Sequence, residues 1–264
     1  MKIDICSVAV DAVTTAEVLA TVAGAIEARR AGGTAAPLAI FSANVDMLVK
    51  ASRDPEFARD LAQADILLAD GVPLLWMARG LGASLPERVA GSDLVPLLAA
   101  QAARDGHGLF LLGAEPGVAD RAAERLVQKS PGLRVVGTSS PPFGFERDPD
   151  ERERLVEQVR AARPDLVVVA LGAPKQERWI LSERARTGAA VLVAAGGTFD
   201  LLAGVKRRAP KVIQRAGFEW LWRMIQEPGR LGRRYLLQDS AILPLYARAL
   251  WRRYAAGQRV TPGN

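Results

Sequence analysis

Two unbroken apolar runs dominate the hydrophobic pattern of this chain. Leu166-Val-Val-Val-Ala-Leu171 opens into Gly172-Ala-Pro-Lys-Gln-Glu177, and Ala190-Val-Leu-Val-Ala-Ala195 opens into Gly196-Gly-Thr-Phe-Asp200. Short runs rich in Val, Leu and Ala and bounded by Gly or Pro are how strands buried on both faces of a parallel sheet read. Pro37 to Phe41, Ala64 to Ala69, Gly108 to Leu112 and Leu133 to Gly137 predict four more strands. Helical spacing fills the intervals: Thr15 to Arg30, a helix from about Met47, another from about Pro73, one capped by Ser92 or Asp93 and running through Ala103, Val118 to Lys129, and Asp150 to Ala162. Pro141-Pro-Phe-Gly-Phe145 reads as a loop. Such alternation specifies an α/β fold, a Rossmann-like parallel sheet flanked by helices.

After Asp200 the strand runs stop. Helical spacing takes over in Pro210 to Glu227, Arg230 to Asp239 and Pro244 to Ala255, and Gly257 to Asn264 is predicted to be disordered. The chain therefore divides into an α/β core, residues 1–205, and a helical C-terminal appendage, residues 206–264. Charge sharpens that boundary. The net charge of +6 conceals 13 Lys and Arg against 3 acids after Val205, and 22 against 26 before it. All three tyrosines, with Trp220, Trp222 and Trp251, also lie in the appendage. Basic residues interleaved with aromatics suit an anionic membrane surface or a nucleic acid. The single cysteine, Cys6, excludes an internal disulfide framework and suits a reducing compartment. No leader pattern is expected at the N-terminus, and no run approaches the roughly 18 apolar residues of a membrane span.

Ligands of open α/β sheets bind beyond the carboxyl ends of the strands, which puts Lys175, Gln176, Glu177, Thr198 and Asp200 near a ligand. Asp70 directly follows a predicted strand and precedes Gly71. A partly desolvated carboxylate there suits a general base, although Asp-Gly more often makes a turn or a helix cap. Asn44 and Asp46 hold the equivalent place after their own strand; Asn44 can bond a hydroxyl or a catalytic carboxylate, or cap a helix. Arg88 can grip a phosphate or stay a solvated charge. Gly196-Gly197 permits close backbone approach, as phosphate- or base-binding loops need. Gly113-Ala-Glu-Pro-Gly117 is not a dinucleotide fingerprint, and no Walker A motif occurs. Cys6 and His107 are isolated, which leaves Cys–His and Ser–His–Asp catalysis without support. No clustered metal ligands and no Asp-x-Asp occur, so neither a metal nor a cofactor is expected.

Several blocks in fixed order carry a resemblance: Ser42-Ala-Asn44-Val-Asp46, Leu68-Ala-Asp70-Gly71-Val-Pro, Leu85-Pro-Glu-Arg88-Val-Ala-Gly91-Ser-Asp93, Leu171-Gly-Ala-Pro-Lys-Gln176-Glu177, and Gly196-Gly-Thr-Phe-Asp200 with Arg208-Ala-Pro210. Over nearly its whole length the chain resembles the WecG/TagA/CpsF glycosyltransferases. The resemblance implies inverting transfer of a hexosyl group, without an evident metal requirement, from a UDP-sugar to a polyprenyl-diphosphate-linked saccharide at the cytoplasmic membrane face. The product would be an exopolysaccharide or cell-wall polymer. It implies Asp70 as general base and Asn44 as a neighbour that positions substrate. Ser42 stands where the family usually has Thr, a departure that keeps the hydroxyl. Arg88 and Gln176 match pocket positions, and Asp200 falls in the stretch that holds the nucleotide. Lys175, Gly196 and Gly197 complete the expected substrate-binding set. Family members bring arginines to the site from a C-terminal appendage, and Arg223, Arg230 and Arg233 fall at that place here. Without a metal, arginines are what can neutralise a diphosphate leaving group, and each basic residue at an anionic leaflet is worth roughly 1 kcal/mol. Two other readings stand beside this one: a nucleic-acid-binding protein using the basic tail, against which the acidic core speaks, and another nucleotide-dependent α/β enzyme, against which the missing phosphate-loop and metal motifs speak. The loops do not distinguish glucose, N-acetylmannosamine and its uronic acid as the sugar moved.

Overall fold

The computed structural model describes residues 1–215, 217–226, 228–233 and 238–257, with backbone alone at 211, 215, 223, 230, 231, 233, 256 and 257. The chain opens with an antiparallel hairpin, β1 (Lys2–Ile5) and β2 (Val8–Asp11), and then α1 (Thr15–Arg30). Six parallel strands follow: β3 (Leu38–Ala43), β4 (Ile66–Ala69), β5 (Gly108–Gly113), β6 (Arg134–Ser139), β7 (Leu166–Ala170) and β8 (Val191–Ala194). They lie in the order β4-β3-β8-β7-β5-β6, so the two most apolar runs, β7 and β8, sit at the centre and are buried throughout. The expected Rossmann-like parallel sheet is present.

Helices cover both faces because alternate strand residues point to opposite sides. Phe41, Leu67, Phe110, Val167 and Leu192 face one layer, made by α2 (Val45–Arg53), α3 (Pro55–Ala62), α4 (Val72–Gly80), α7 (Pro149–Ala161) and α8 (Lys175–Glu183). Ile40, Leu68, Leu109, Val168 and Val193 face the other, made by α1, α5 (Gly91–Asp105), α6 (Val118–Lys129) and α9 (Thr198–Leu202). The hairpin guards the exposed edge of β4: Asp11 Oδ2 accepts the outward Leu67 N–H at 2.9 Å.

Among the described residues, four helices follow the core: α10 (Lys211–Arg215), α11 (Glu219–Gln226), α12 (Pro228–Arg233) and α13 (Ile242–Gly257). Ile242, Leu245, Tyr246 and Ala249, at helical spacing on α13, pack on the core beside α4, and Tyr246 Oη donates to the Met77 carbonyl at 3.2 Å.

The structure corrects several boundaries. Helix α2 begins at Val45 rather than about Met47, because the Asn44 side chain caps it by accepting the Met47 N–H at 3.2 Å. Ser92 and Asp93 do not cap α5. The helix starts at Gly91 after Ala90, and the Asp93 carboxylate is engaged by arginines instead. The single helix expected over Pro210 to Glu227 is two. Gly217 (φ +78°) turns the chain between α10 and α11, where a Cβ would stand 2.8 Å from the Trp76 ring. The helix expected to reach Asp239 ends, among the described residues, with α12 at Arg233; Asp239–Ala241 is a 3₁₀ turn. Most of the Gly257 to Asn264 segment lies outside the described residues.

Candidate active site

After β5 the chain passes through α6 to β6 on one side, and after β7 it passes through α8 to β8 on the other. Strands that part company in this way leave a crevice at their carboxyl ends where ligands of such sheets bind. A cleft of about 850 Å³ opens there and extends across β8 and β3 to the end of β4. Ser42, Asn44, Asp70, Arg88, Lys175, Gln176, Gly196, Gly197, Thr198 and Asp200 all line it. Glu177 does not; it is wholly buried behind the wall.

At the β4 end, the backbone places Asp70. Its N–H donates to the Ala43 carbonyl at 2.7 Å, extending the β3–β4 ladder by one residue. Gly71 then takes φ +137°, a conformation L side chains rarely adopt, and the chain turns into α4 with Pro73 in the first turn. The segment carrying Arg88 is tied to the same strand end, since Val89 N–H donates to the Ala69 carbonyl at 2.9 Å. Arg88 and Asp70 are thus neighbours of a single backbone hydrogen bond. On β3, Ser42 lines the cleft with a buried hydroxyl that has no hydrogen-bond partner among the described residues. Asn44 both lines the cleft and caps α2.

The centre of the cleft floor is glycine. A Cβ built on Gly196 or Gly197 would meet nothing within 4 Å, so neither glycine is required by packing, and Gly197 has φ −75°, which any residue can adopt. Space above bare backbone is what a closely approaching ligand needs. Gln176 faces this turn but spends its polar atoms on protein. Its Oε1 accepts the Gly196 N–H at 3.0 Å, and its Nε2 donates to Glu177 Oε1 at 2.8 Å. Burial raises the Glu177 pKa to about 6.

Beyond the switch point, Lys175 pairs with Glu146 at 2.5 Å and lies 4.7 Å from the centre of the Phe143 ring. The hydrogen bond from Lys175 holds the Glu146 carboxyl below its usual range. Phe143, a fully exposed aromatic on the cleft rim, belongs to the Pro141-Pro-Phe-Gly-Phe145 segment, whose sequence predicts only a loop.

The C-terminal region forms the outer wall: Lys206 and Arg207 come from the segment before α10, Gln214 from α10, Glu219, Trp220 and Gln226 from α11, and Asp239 from the 3₁₀ turn. Lys206 pairs with Asp200 at 2.8 Å. Arg88 is engaged by Asp93 at 2.5 Å and by Glu219 of α11 at 3.5 Å, and Arg208 grips both oxygens of Asp93 at 2.6 and 2.7 Å. Burial pushes the Asp93 carboxyl up, but Arg208 and then Arg88 outweigh it and leave the group below its usual range. Asp93 and Glu219 carry no sequence signal for this role: Arg88 lies near Asp93 in the chain and Arg208 near Glu219, but the pairs that join the two halves, Arg208 with Asp93 and Arg88 with Glu219, are far apart in sequence, and no local pattern encodes them. Trp222 and Gln226, one turn apart on α11, both donate to the Arg207 carbonyl. Arg223 follows Glu219 by one turn on α11, and Arg230 and Arg233 lie on α12; their side chains fall outside the described residues. His107, instead of a site, is buried and contacts the exposed Glu27 at 2.8 Å. No three His, Cys, Asp or Glu side chains among the described residues gather as a metal site requires, and none of the described helices is long and apolar enough to cross a membrane.

The model of the glycosyl transferase WecG/TagA/CpsF family matches residues 3–256. The chain is also similar to an N-acetylglucosaminyldiphosphoundecaprenol N-acetyl-beta-D-mannosaminyltransferase of Bacillus spizizenii, with 34% identity over 191 residues, 72% of each protein. The match spans the strand-end residues of the cleft and the helices that wall it, and on it the chain belongs to the WecG/TagA/CpsF family of glycosyltransferases.

Proposed function

We propose that this glycosyltransferase moves a hexosyl group, with inversion and without a metal, from a UDP-sugar to a polyprenyl-diphosphate-linked saccharide at the cytoplasmic face of the membrane. The observation that carries the reading is the composition of the cleft: Asp70 at one end, bare glycine backbone in the middle, and an outer wall from residues 206 onward that includes Lys206 and Arg207. Asp70 takes the proton from the acceptor hydroxyl. The hydroxyl oxygen attacks the anomeric carbon from the face opposite the diphosphate, and the bond to the β-phosphate oxygen breaks. Negative charge then grows on the departing UDP, where Arg223, Arg230 and Arg233 neutralise it with bidentate hydrogen bonds. Ser42, Asn44, Arg88, Lys175, Gln176, Gly196, Gly197 and Asp200 hold or frame the substrates. The relative's named reaction makes N-acetylmannosaminyl transfer to an N-acetylglucosaminyl-diphosphoprenol the first to assay.

Membrane docking by the appendage is part of the same proposal. Val212, Ile225, Leu243, Trp251 and Tyr254 are exposed, and Trp251 keeps 72% of its surface in contact with solvent. The residues of α13 that pack on the core leave Leu243, Trp251 and Tyr254 outside that seat. Apolar and aromatic groups set among arginines suit a headgroup layer. The core, residues 1–205, is the catalytic body and residues 206–264 the docking appendage. The test combines flotation with anionic vesicles and UDP release in the presence of a polyprenyl-linked acceptor. Vesicle binding with acceptor-dependent UDP release is expected. Nucleic-acid gel shift without vesicle binding or UDP release would overturn the proposal.

A further inference from the structure

Glu177 is 0% exposed, yet it is ionisable and does not touch the cleft. Its Oε1 accepts from Gln176, and its Oε2 has no partner among the described residues. Lys50 attracts the carboxylate and Asp60 repels it, without contact from either. Burying a half-satisfied carboxylate is costly, and a merely structural position could be filled by an apolar side chain. What the carboxylate does here is fix an orientation. The Gly196 N–H can only donate, so Gln176 must turn Oε1 toward it, and Nε2 must then find an acceptor on the other side. Glu177 is that acceptor. An apolar residue in its place would leave Nε2 buried and unpaired, and flipping the amide would set two donors against each other at Gly196.

We propose that Glu177 is a positioning residue for the transfer reaction: through Gln176 it holds the Gly196-Gly197 turn in the shape that receives the phosphates of the donor. The inference builds on the UDP-sugar reading of the cleft and acts at its floor, where no side chain intervenes between backbone and ligand. It assigns Gln176 to the protein side of the site, aligning Gly196, rather than to direct substrate contact.

The experiment measures UDP affinity by calorimetry and steady-state transfer in Glu177→Leu, Glu177→Gln, Gln176→Met and the double variant Gln176→Met/Glu177→Leu. Losing one buried, charge-assisted hydrogen bond corresponds to about a tenfold change. Glu177→Leu and Gln176→Met should each weaken UDP binding and raise the donor KM about tenfold, with a smaller change in kcat. Glu177→Gln, which keeps an acceptor oxygen, should restore the KM to within about threefold of the original chain. The double variant should be no worse than Gln176→Met alone. Should Glu177→Leu fail to fold, Gln176→Met and Glu177→Gln read the relay from its two ends. An unchanged KM in Glu177→Leu with only a lower melting temperature would reduce Glu177 to a structural residue. So would additive losses in the double variant. If the original chain binds no UDP, the donor reading and this inference fall together, whereas tight UDP binding unaffected by Glu177→Leu or Gln176→Met overturns the inference alone.

Discussion

The core and the C-terminal helices are held by different forces. Strands β7 and β8 are buried along their full length, and two apolar layers close over the sheet. Helices α10 and α11, by contrast, expose Val212, Trp220 and Ile225; Glu219 of α11 reaches core Arg88 as an ion pair, Arg208 before α10 pairs with core Asp93, and Trp222 and Gln226 of α11 bond to the Arg207 backbone. Helix α13 is seated on the core by apolar contact. Hydrophobic burial is non-directional and scales with area, whereas half-exposed ion pairs are weak and screened by salt. The floor of the cleft is therefore fixed by the packing of the core, and its outer wall is set by charge. Solution conditions and substitutions should separate the two.

The largest effects belong to one group from each side. Asp70→Asn keeps the turn and removes the base, so transfer should fall by about 10²- to 10⁴-fold while UDP binding is retained. Loss of UDP binding would mean that Asp70 holds the site's shape instead. On the wall, Arg230→Ala or Arg233→Ala should lower turnover by about 10²-fold, the scale of removing one charge-stabilising donor, with little change in melting temperature. Turnover equal to that of the original chain would show that the wall takes no part in the chemistry.

Next in size is a pH effect confined to the core. Glu177 titrates near 6 in the folded protein because burial, opposed by Gln176 and Lys50 and reinforced by Asp60, disfavours its charge; its ordinary value is 4.5. Between those values the folded state binds the extra proton, so stability falls as pH rises, and above about pH 6 the full penalty of about 2 kcal/mol is present. Glu177→Gln carries no charge at any pH. In denaturant titrations it should exceed the original chain by about 2 kcal/mol at pH 8 and show no such gain at pH 4. A gain independent of pH would point to packing rather than charge.

The same division explains what the sequence reveals. The sheet is legible because each strand is a closed apolar run, and Asp70, Asn44 and Gly196 are legible because they follow such runs directly. The β1–β2 hairpin is not. Its two-residue turn places Cys6 at φ +54° and Ser7 at φ +70°, a left-handed pair that Asn-Gly or Asp-Gly would announce and Cys-Ser does not. Helix α8 is hidden because Gly172-Ala-Pro174 signals a loop, and the helix begins at the very next residue. The break at Gly217 is hidden for another reason: it depends on Trp76, on a helix far away in sequence. The wall of the site has the same character. Nothing near Arg88 announces that Glu219 will face it, and nothing near Asp93 announces Arg208. Burial patterns are local in sequence and ion-pair partners are not.

The smallest effect tests that wall directly. Arg208 holds both oxygens of Asp93, and Arg88 reaches both Asp93 and Glu219, so one carboxylate of the core and one of α11 share two arginines. The Asp93 carboxyl lies below its usual range, so this cluster's contribution is present at neutral pH and is lost as pH falls through the lowered value. Its members are partly exposed, which limits each pair to about 1 kcal/mol or less. Raising salt from about 0.1 to 1 M shortens the screening length from about 10 to about 3 Å and should loosen α10 and α11 without touching the sheet. The donor KM of the original chain should then rise about twofold to fivefold, the range that such energies convert to. Arg208→Ala should start at the raised KM and respond to salt much less. Amide exchange should quicken in α10 and α11 and stay slow in β7 and β8. If Arg208→Ala instead lowered the stability of the whole protein by several kcal/mol, charge would be holding the core as well, and the contrast between floor and wall would fail.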